Sequence, residues 1–439
     1  MIAMRSTLLA LGLLALPTLA EAAAPIRRVV SPGGIEAWLV EERTLPMVAL
    51  EISFGGGAVI DPDDQAGAAR FLAAMLGEGA GDFDSVAFAE AQQTTGMRLR
   101  FDAGREALTV SAAMLEETLP DGLALLRVAL TRPRFDEEAL RRTRAQLVSS
   151  LRSDEANPRS LASAAWFAAA FPDDPYGRPV NGRIETVEAM TADALRDAHA
   201  RHITLRDLNI GVVGAIDAET LGEVLDTLLA GLPAGEPVDL PPVEPAIAGG
   251  VTVVPFPAPQ STVLFGHAGP LRDDDDFMAA FVLNHIIGGG GFSSILMQEV
   301  RERRGLAYGA YAYLAPLNRA GLMLGGVGTA NERVAESIDV IRAEWRRIAE
   351  NGVSEEQLDR AKRFLTGAYP LRFDSNRAIA GILVGMQRDG MPIDYPEIRN
   401  DLVEAVTVED IQRVAARWLD ADGLHFVVVG EPEGLPVGQ

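Results

Sequence analysis

The amino-acid sequence repeats itself once, with about 215 residues between corresponding segments. Three pairs of segments match in the same order: strand-like runs from Pro46 (PMVALEISFGGG) and Gln260 (QSTVLFGHAGPL), helical patterns from Phe135 (FDEEALRRTR) and Val353 (VSEEQLDRAK), and apolar runs that end at Gly214 and Gly430. A repeat of this length is as large as a domain, which excludes a solenoid of short units. The chain is therefore predicted to contain two homologous domains.

Short β-rich segments alternate with long amphipathic helices in each copy, which predicts an α+β fold. Residues 98–110 (RLRFDAGREALTV) have the pattern of a hairpin that turns at Ala103-Gly104. Helices are predicted at residues 119–130, 136–151, 275–287, 293–303, 330–351 and 354–368. We expect each domain to be a mainly antiparallel sheet packed with helices.

A segment rich in proline and glycine separates the two copies. Residues 231–250 (GLPAGEPVDLPPVEPAIAGG) cannot sustain helix or sheet hydrogen bonds, so they are typical of a linker. The predicted organisation is a signal peptide at residues 1–22, a first domain at 23–235, a linker at 236–250 and a second domain at 251–439.

The first residues have the pattern of a cleavable signal peptide. Arg5 supplies a positive charge, residues 8–16 (LLALGLLAL) form an apolar run too short to span a bilayer, and Ala20-Glu21-Ala22 matches the A-x-A cleavage pattern. We expect cleavage after Ala22, although a membrane anchor is an alternative. No later segment contains 18 consecutive apolar residues, so no membrane association is expected after signal removal.

Charge and composition exclude several classes of function. The net charge of −23 makes the chain a poor binder of nucleic acids. Because the chain has no cysteine, it can form neither disulfides nor thiolate metal sites, and five histidines remain as nitrogen ligands.

Five segments, taken together in order, carry a family resemblance: GAARFLAAML from Gly67, PYGRPVNG from Pro175, GVVGAID from Gly211, GGGGFSSILMQEVRERRGLAYG from Gly288 and VSEEQLDRAKRFLTG from Val353. They resemble the pitrilysin/insulinase family of inverzincin zinc metallopeptidases, and in particular its short-chain bacterial members related to mitochondrial processing peptidase. The resemblance implies that the two domains form one bowl-shaped half of a clamshell. It also implies extended peptide substrates and, together with the signal peptide, a periplasmic location. The second of these segments is interpreted as a structural turn.

Active members of this family bind zinc through H-x-x-E-H on a helix of the first domain. The two histidines share one helix face, the glutamate is the general base, and a distal glutamate about 76 residues further on completes the metal shell. The matching segment here is Arg70-Phe71-Leu72-Ala73-Ala74, and the distal position falls at Ser150. Alanine has no donor atom and arginine repels a dication. The resemblance therefore implies no metal in this chain and no activity of the chain alone.

The spacing of His199 and His202 is that of a possible metal pair on a helix. A zinc site needs a third ligand, and none lies nearby in the sequence. We therefore interpret this pair as a polar helix terminus.

The resemblance also implies a second half of the active site, because active members use an arginine and a tyrosine seven residues later. Arg301 and Tyr308 match this pair in RERRGLAY. A guanidinium and a phenol are hydrogen-bond donors suited to a developing oxyanion. The alternative is structural: Arg301 would complement a helix C-terminus, and Tyr308 would be an ordinary strand residue.

A run of four glycines, Gly288, Gly289, Gly290 and Gly291, precedes this pair. The resemblance implies a flexible loop that binds substrate, and glycine permits the backbone conformations such a loop needs. The alternative is a helix–helix connection with Ser293 as N-cap. His285, just before the run, is interpreted as a packed or capping histidine.

Three functional hypotheses follow. The first is a non-catalytic subunit of a heterodimeric zinc metallopeptidase, in which a partner with an intact H-x-x-E-H holds the zinc and this chain adds Arg301 and Tyr308. The second is a structural scaffold of the same fold without a role in hydrolysis. The third is a self-sufficient peptidase, which is disfavoured because the chain has neither a G-x-S-x-G nucleophile motif nor cysteine.

Overall fold

The computed structural model describes residues 25–236 and 240–435. The predicted signal peptide (residues 1–22) lies outside these ranges, as do residues 237–239 of the predicted linker. Within the described ranges, none of the helices combines the length and the apolar composition needed to cross a bilayer.

The first sheet is built from six strands of the first half: β1 (Arg27–Val30), β2 (Glu36–Glu41), β3 (Met47–Gly55), β4 (Arg98–Ala103), β5 (Ala107–Leu115) and β6 (Asn209–Gly214). Their order across the sheet is β1-β2-β6-β3-β5-β4. Strands β2 and β6 are parallel, and the other four neighbouring pairs are antiparallel.

The second sheet is built from five strands: β7 (Gly250–Pro255), β8 (Gln260–Ala268), β9 (Ala307–Pro316), β10 (Gly321–Ala330) and β11 (His425–Gly430). Their order is β7-β11-β8-β10-β9, with β7 and β11 parallel and the other pairs antiparallel. This order repeats the series β2-β6-β3-β5-β4 of the first sheet. The predicted α+β fold with two mainly antiparallel sheets is confirmed.

Helices cover both sheets. Those of the first half are α1 (Ala68–Met75), α2 (Ser85–Thr94), α3 (Leu119–Thr131), α4 (Glu137–Glu155), α5 (Pro158–Ala170), α6 (Ile184–Ala189), α7 (Ala192–His202) and α8 (Ala218–Leu229). Those of the second half are α9 (Phe277–Asn284), α10 (Val334–Asn351), α11 (Glu355–Ala368), α12 (Asn376–Arg388), α13 (Tyr395–Ala405) and α14 (Val408–Trp418). Two further segments, His285–Gly289 and Met297–Glu302, are π-helical.

Four of the predicted helices differ from those observed. The helix predicted at 136–151 continues to Glu155. The helix predicted at 275–287 is α9 continued by a π-helical turn. The helix predicted at 293–303 starts later, because the Oγ of Ser294 and not of Ser293 accepts the Met297 N–H at its first turn. The helix predicted from residue 330 begins at Val334, because β10 extends through Ala330. Hydrophobic periodicity does not show at which residue a strand ends and the following helix begins.

One helix of each half packs on the sheet of the other half. Helix α5 packs on β8 and β11, whereas α12 packs on β3 and β6. Trp166 of α5 is fully buried and donates its indole N–H to the carbonyl of His425 at 3.3 Å. Gln387 of α12 makes a similar contact in the opposite direction, donating to the carbonyl of Ile210 at 2.9 Å. The exchange is reciprocal, so the contact between the halves follows the same duplication as the halves themselves.

A largely buried ion pair also joins the two halves. Arg319, between β9 and β10, donates Nη1 and Nη2 to Asp174 at 3.0 and 2.6 Å and donates Nε to the carbonyl of Pro241 at 2.8 Å. The Tyr176 hydroxyl accepts the Arg319 backbone N–H at 3.1 Å, and the tyrosine ring lies 4.9 Å from the guanidinium. The predicted turn at residues 175–179 therefore places a buried tyrosine in the contact between the halves.

Candidate functional site

Helix α1 carries the positions that the family resemblance matches to the zinc motif. The helix starts after Gly67, whose φ of 93° is left-handed and therefore suits glycine. Both carboxylate oxygens of Asp61 accept the Ala69 N–H of the first turn, at 3.1 and 3.2 Å. His202 of α7 contacts the same carboxylate through Nε2 at 2.9 Å, and both side chains are fully buried. The helix is thus anchored at its N-terminus, where its dipole favours an anion.

The side chains at the zinc-motif positions do not form a metal site. Arg70 forms an ion pair with Asp102 of the edge strand β4. Ala73 is buried and Ala74 is half-buried, and neither carries a donor atom. Ser150 lies exposed on α4. The described part of the chain contains no group of three or more histidine, aspartate or glutamate side chains that would hold a metal ion. These residues do not fit zinc.

The two histidines of α7 are engaged in packing contacts. His199 contacts the carbonyl of Leu130 through Nε2 at 2.7 Å, and burial lowers the pKa of its imidazole. His202 contacts Asp61, as described above, and is buried instead of lying on a polar helix end. The interpretation as a polar terminus is therefore wrong for His202, because the helix C-terminus packs against the start of α1.

Arg301 lies between two exposed aromatic rings. The residue belongs to the last turn of the π-helical segment Met297–Glu302. Its guanidinium carbon is 4.8 Å from the centre of the Phe292 ring and 4.7 Å from the centre of the Tyr308 ring. These are cation–π distances, so both rings restrict where the guanidinium can point. Its Nε also lies 3.4 Å from a carboxylate oxygen of Glu302.

The neighbouring arginines have a different role. Arg303 and Arg304 both pair with the carboxylate of Glu299, at 2.5 and 2.6 Å. These contacts lie within one helical turn and resemble the charge pairs that stabilise helix ends. The local geometry therefore distinguishes Arg301, which contacts two aromatic rings, from the other arginines of RERRGLAY.

Tyr308 projects from a β-bulge on the edge strand β9. Ala307 pairs with Thr329 and Gly309 pairs with Gly328, so Tyr308 is an extra residue without an opposite partner in β10. A bulge of this kind redirects a side chain away from the regular alternation of the strand. The tyrosine is 86% exposed. Its alternative interpretation as an ordinary strand residue does not account for the bulge.

Phe292 is a site residue that sequence reasoning did not single out. It is 66% exposed, although a phenylalanine that serves only packing is usually buried. The available signal was its position directly after the glycine run, on the chain leading to Arg301. Its contact with Arg301 depends on how the π-helical segment folds back, which residue spacing does not show.

Only part of the glycine run is a loop. Gly288 and Gly289 lie in the π-helical turn His285–Gly289, and Gly288 is buried. A Cβ at Gly288 would lie 2.2 Å from the backbone nitrogen of Ala312 on β9, so glycine is required there for close packing. Gly290 follows the helix, and Gly291, with a φ of 57°, begins a 3₁₀ turn that runs to Ser293. The loop expected over all four glycines is therefore reduced to Gly290 and the short turn after it, while substrate contact stays a prediction.

His285 is packed, as predicted. Its ring stacks on Phe364 of α11 with a centroid distance of 5.0 Å, and burial lowers its pKa. This contact fixes the helix that enters the glycine run.

The degenerate zinc positions and the Arg301–Tyr308 pair occupy related places in the two sheets. Arg70 pairs with β4, the last strand of the first sheet, and Tyr308 stands on β9, the last strand of the second. Since β4 and β9 are equivalent in the duplication, each site lies at the same edge of its own sheet. One edge therefore lacks metal ligands, and the other carries the exposed Tyr308 beside the half-buried Arg301.

Comparisons with known proteins agree with this fold. Residues 38–183 match the family model described as insulinase (peptidase family M16), and residues 189–365 match the one described as peptidase M16 inactive domain. The crystal structure of a peptidase M16 inactive domain from Pseudomonas fluorescens superposes with a TM-score of 0.87 at 26% identity, over 94% of this chain and 100% of that chain.

Curated relatives carry two kinds of name. A non-peptidase homologue from Helicobacter pylori is 24% identical over 409 residues, which are 93% of this chain and 95% of that protein. An uncharacterized zinc protease from Mycobacterium tuberculosis is 28% identical over 417 residues, which are 91% of this chain and 92% of that protein. The two family models together span most of the described residues and confirm the resemblance seen in the sequence. The chain belongs to the insulinase family of peptidases, family M16.

Proposed function

We propose that this chain is the non-catalytic subunit of a heterodimeric zinc metallopeptidase that degrades or processes peptides. A partner chain of the same fold carries an intact H-x-x-E-H and the zinc ion, which supplies Lewis acidity to the reaction. This chain contributes Arg301 and Tyr308 to the partner's active site.

The observation that carries this proposal is the arrangement of Arg301 and Tyr308. A bulge turns the tyrosine outward, and the arginine is held between its ring and Phe292. The guanidinium N–H groups and the phenol O–H are donors of the kind that stabilise an oxyanion, and fixed donors do so without reorganising during the reaction. A purely structural arginine at a helix end needs neither exposed ring.

The difference between the two edges of the molecule supports the same conclusion. Arg70, Ala73, Ala74 and Ser150 supply no metal ligands, whereas the exposed Tyr308 and the half-buried Arg301 lie together as a pair of donors. A chain that had lost all function would be free to lose both sets. Retention of the donor pair is expected if a second chain uses it.

The substrates that fit this proposal are extended peptides. In this proposal the chain and its partner face each other and enclose a chamber that excludes folded proteins. A peptide inside it would add a strand to a sheet edge of the catalytic partner, with main-chain hydrogen bonds providing affinity. The acidic net charge of −23 would attract basic peptides toward this chain.

Co-expression with a chain that has an intact H-x-x-E-H tests the proposal. We expect a stable pair with one zinc ion that cleaves peptides. Arg301→Ala and Tyr308→Phe should each lower kcat by about 100-fold, the usual effect of a lost oxyanion donor. Tyr311→Phe is the control, because Tyr311 is an exposed tyrosine on the same strand outside the pair.

Three results would contradict the proposal. Unchanged turnover in both variants would show that the pair is not part of the active site. A stable assembly without peptidase activity would favour the scaffold function instead. Zinc-independent cleavage by the isolated chain would favour a self-sufficient peptidase.

The location that suits this function is the periplasm. The signal-like pattern of residues 1–22 supports export after cleavage behind Ala22. Fusion of residues 1–40 to alkaline phosphatase without its own signal should give an active enzyme, because that reporter must be exported to fold. Replacing Leu13 and Leu14 by arginine should abolish the activity, and an active variant would contradict export through this segment.

A further inference from the structure

A cavity of about 520 Å³ lies beside helix α5, away from Arg301 and Tyr308. Its walls are the end of α4, one side of α5, the tip of the β4–β5 hairpin and the turn that leads into α6. Cavities that bind small ligands or short peptides span about 300–1,000 Å³, so this one is large enough. None of the residues assigned to the peptidase site or to the degenerate zinc positions lines it.

Arg105, at the tip of the β4–β5 hairpin, lines this cavity without a counter-ion. Its guanidinium carbon lies 4.1 Å from the centre of the Phe167 ring, and Nη1 donates to the carbonyls of Tyr176 and Arg178. Its Nε and Nη2 donate to none of the described residues, and both keep accessible surface. Burial lowers the pKa of this arginine. A cation partly removed from water and without a carboxylate partner would be stabilised by a bound anion.

Three further arginines line the cavity. Arg178 pairs with Asp63, whereas Arg159 and Arg183 form no ion pair within the part of the chain that the structure describes. Arginine presents its N–H groups in a planar fork that fits the two oxygens of a carboxylate. Together with Arg105, the cavity thus offers three guanidinium groups to a carboxylate ligand.

The acidic side chains of the cavity restrict which anion fits. Asp154 accepts the Ser160 hydroxyl at 3.1 Å and the Asn181 amide at 3.3 Å, and Glu155 and Glu185 are exposed. These three carboxylates repel a ligand that is negative along its whole length. They are compatible with a ligand whose only carboxylate lies at the end that meets the arginines.

The cavity adjoins a smaller one of about 240 Å³ on the second sheet. Arg159 and Ser163, one helical turn apart on α5, line both cavities, and Tyr313 of β9 lines the smaller one. Two adjoining cavities along one helix suit an elongated ligand. A compact anion such as phosphate would occupy only a part of this space.

We propose that this cavity binds the C-terminal carboxylate of a peptide. Arg105, Arg159 and Arg183 donate to the carboxylate, and the preceding residues of the peptide lie along α5 towards β9. The partly buried side chains of Leu161 and Phe167 contact the apolar groups of the peptide. The site needs neither the partner chain nor hydrolysis. It can therefore be tested on the isolated chain, and its failure would leave the proposed function untouched.

Calorimetric titration of the isolated chain tests the proposal. Acetyl-Ala-Ala-Leu with a free carboxylate should bind, whereas the same peptide as its amide, acetyl-Ala-Glu-Ala-amide and inorganic phosphate should bind at least about tenfold more weakly. General attraction would not produce this order, because a chain of net charge −23 repels anions. Absent binding of the free acid, or equal binding of any of the other three, would overturn the proposal.

Variants locate the site. Arg105→Gln should weaken binding of the free acid at least about tenfold, and Arg159→Gln/Arg183→Gln should weaken it about tenfold. The control Arg360→Gln/Arg363→Gln changes the net charge equally on the exposed side of α11, outside the cavity, and should not affect binding.

The double variants decide the test, because Arg105→Gln removes packing on Phe167 and has the greater risk of misfolding. Arg159 and Arg183 are exposed, so their replacement should leave the fold intact. Binding unchanged in Arg159→Gln/Arg183→Gln, or weakened equally in the control, would overturn the proposal.

Discussion

The guanidinium of Arg301 lies 4.7 Å from the centre of the Tyr308 ring, and the two residues come from different elements. Arg301 ends a π-helical segment, whereas Tyr308 is the extra residue of a bulge on β9. Both features are irregular, and irregular backbone is often found at functional sites.

Phe292 should position Arg301 without being a catalytic residue itself. In the complex with a catalytic partner, Phe292→Ala removes one of the two rings that restrict the guanidinium, and a lost exposed cation–π contact corresponds to about 0.5–1 kcal/mol. We therefore expect kcat to fall about two- to fivefold, far less than for Arg301→Ala, and Phe292→Tyr should restore it. Leu371→Ala, at another exposed apolar residue, is the control. An unchanged kcat for Phe292→Ala would show that the ring has no positioning role.

The isolated chain should hold no stoichiometric zinc, because Arg70, Ala73, Ala74 and Ser150 offer no metal ligands. The fourfold variant Arg70→His/Ala73→Glu/Ala74→His/Ser150→Glu rebuilds two histidines and a distal glutamate and should gain about one zinc per chain. Elemental analysis after dialysis measures the zinc content of the unmodified chain and of the variant. Stoichiometric zinc in the unmodified chain would refute the assignment. If only the variant failed to bind zinc, the distal ligand would have to be assigned to another position on α4.

Breaking the Asp174–Arg319 pair should destabilise the fold. Arg319→Ala leaves a largely buried carboxylate without its bidentate partner, which costs about 3 kcal/mol of unfolding free energy. Arg346→Ala, which breaks the exposed pair with Asp422, should cost less than about 1 kcal/mol. Chemical denaturation measures both values, and equal effects would show that burial does not matter at this pair.

The same pair predicts a dependence on pH. Burial alone would raise the pKa of Asp174, but the Arg319 guanidinium and the Tyr176 backbone N–H lower it overall. A carboxyl whose pKa is lower in the folded state stabilises the protein above its unfolded pKa of about 3.9. This stability is lost as the pH falls through the folded pKa. The difference in stability between the native chain and Arg319→Ala should therefore shrink below about pH 4, and a constant difference would contradict the role given to this pair.

Gly288 should be required for packing, since a Cβ there would meet the backbone of Ala312. Gly288→Ala is expected to lower the unfolding free energy by about 1–3 kcal/mol, as in other overpacked sites. Gly381→Ala is the matched control: Gly381 lies inside α12 with open space around it, so alanine should stabilise the helix by up to about 1 kcal/mol. Thermal unfolding of both variants measures the contrast. A Gly288→Ala chain as stable as the native one would mean that the two segments separate easily.

The sequence predicted the architecture well, because the duplication and the hydrophobic patterns can be read directly from the order of the residues. The strands at Pro46 and Gln260 and the hairpin at residues 98–110 correspond to β3, β8 and the β4–β5 pair. The sequence also showed which residues occupy the positions that the resemblance matches to the zinc ligands, because residue identity needs no coordinates. Helix starts near residues 293 and 330 were missed, since capping and strand ends depend on tertiary neighbours.

The sequence by itself determined that the chain is duplicated, belongs to an α+β class and carries arginine and alanine where zinc ligands would stand. Only the tertiary structure showed that Tyr308 projects from a bulge, that Phe292 joins it around Arg301, and that α5 and α12 exchange between the halves. The physical reason is the difference between local and long-range information. Composition and periodicity record which residues each segment contains, but contacts between distant segments depend on packing, which is decided when the whole chain folds.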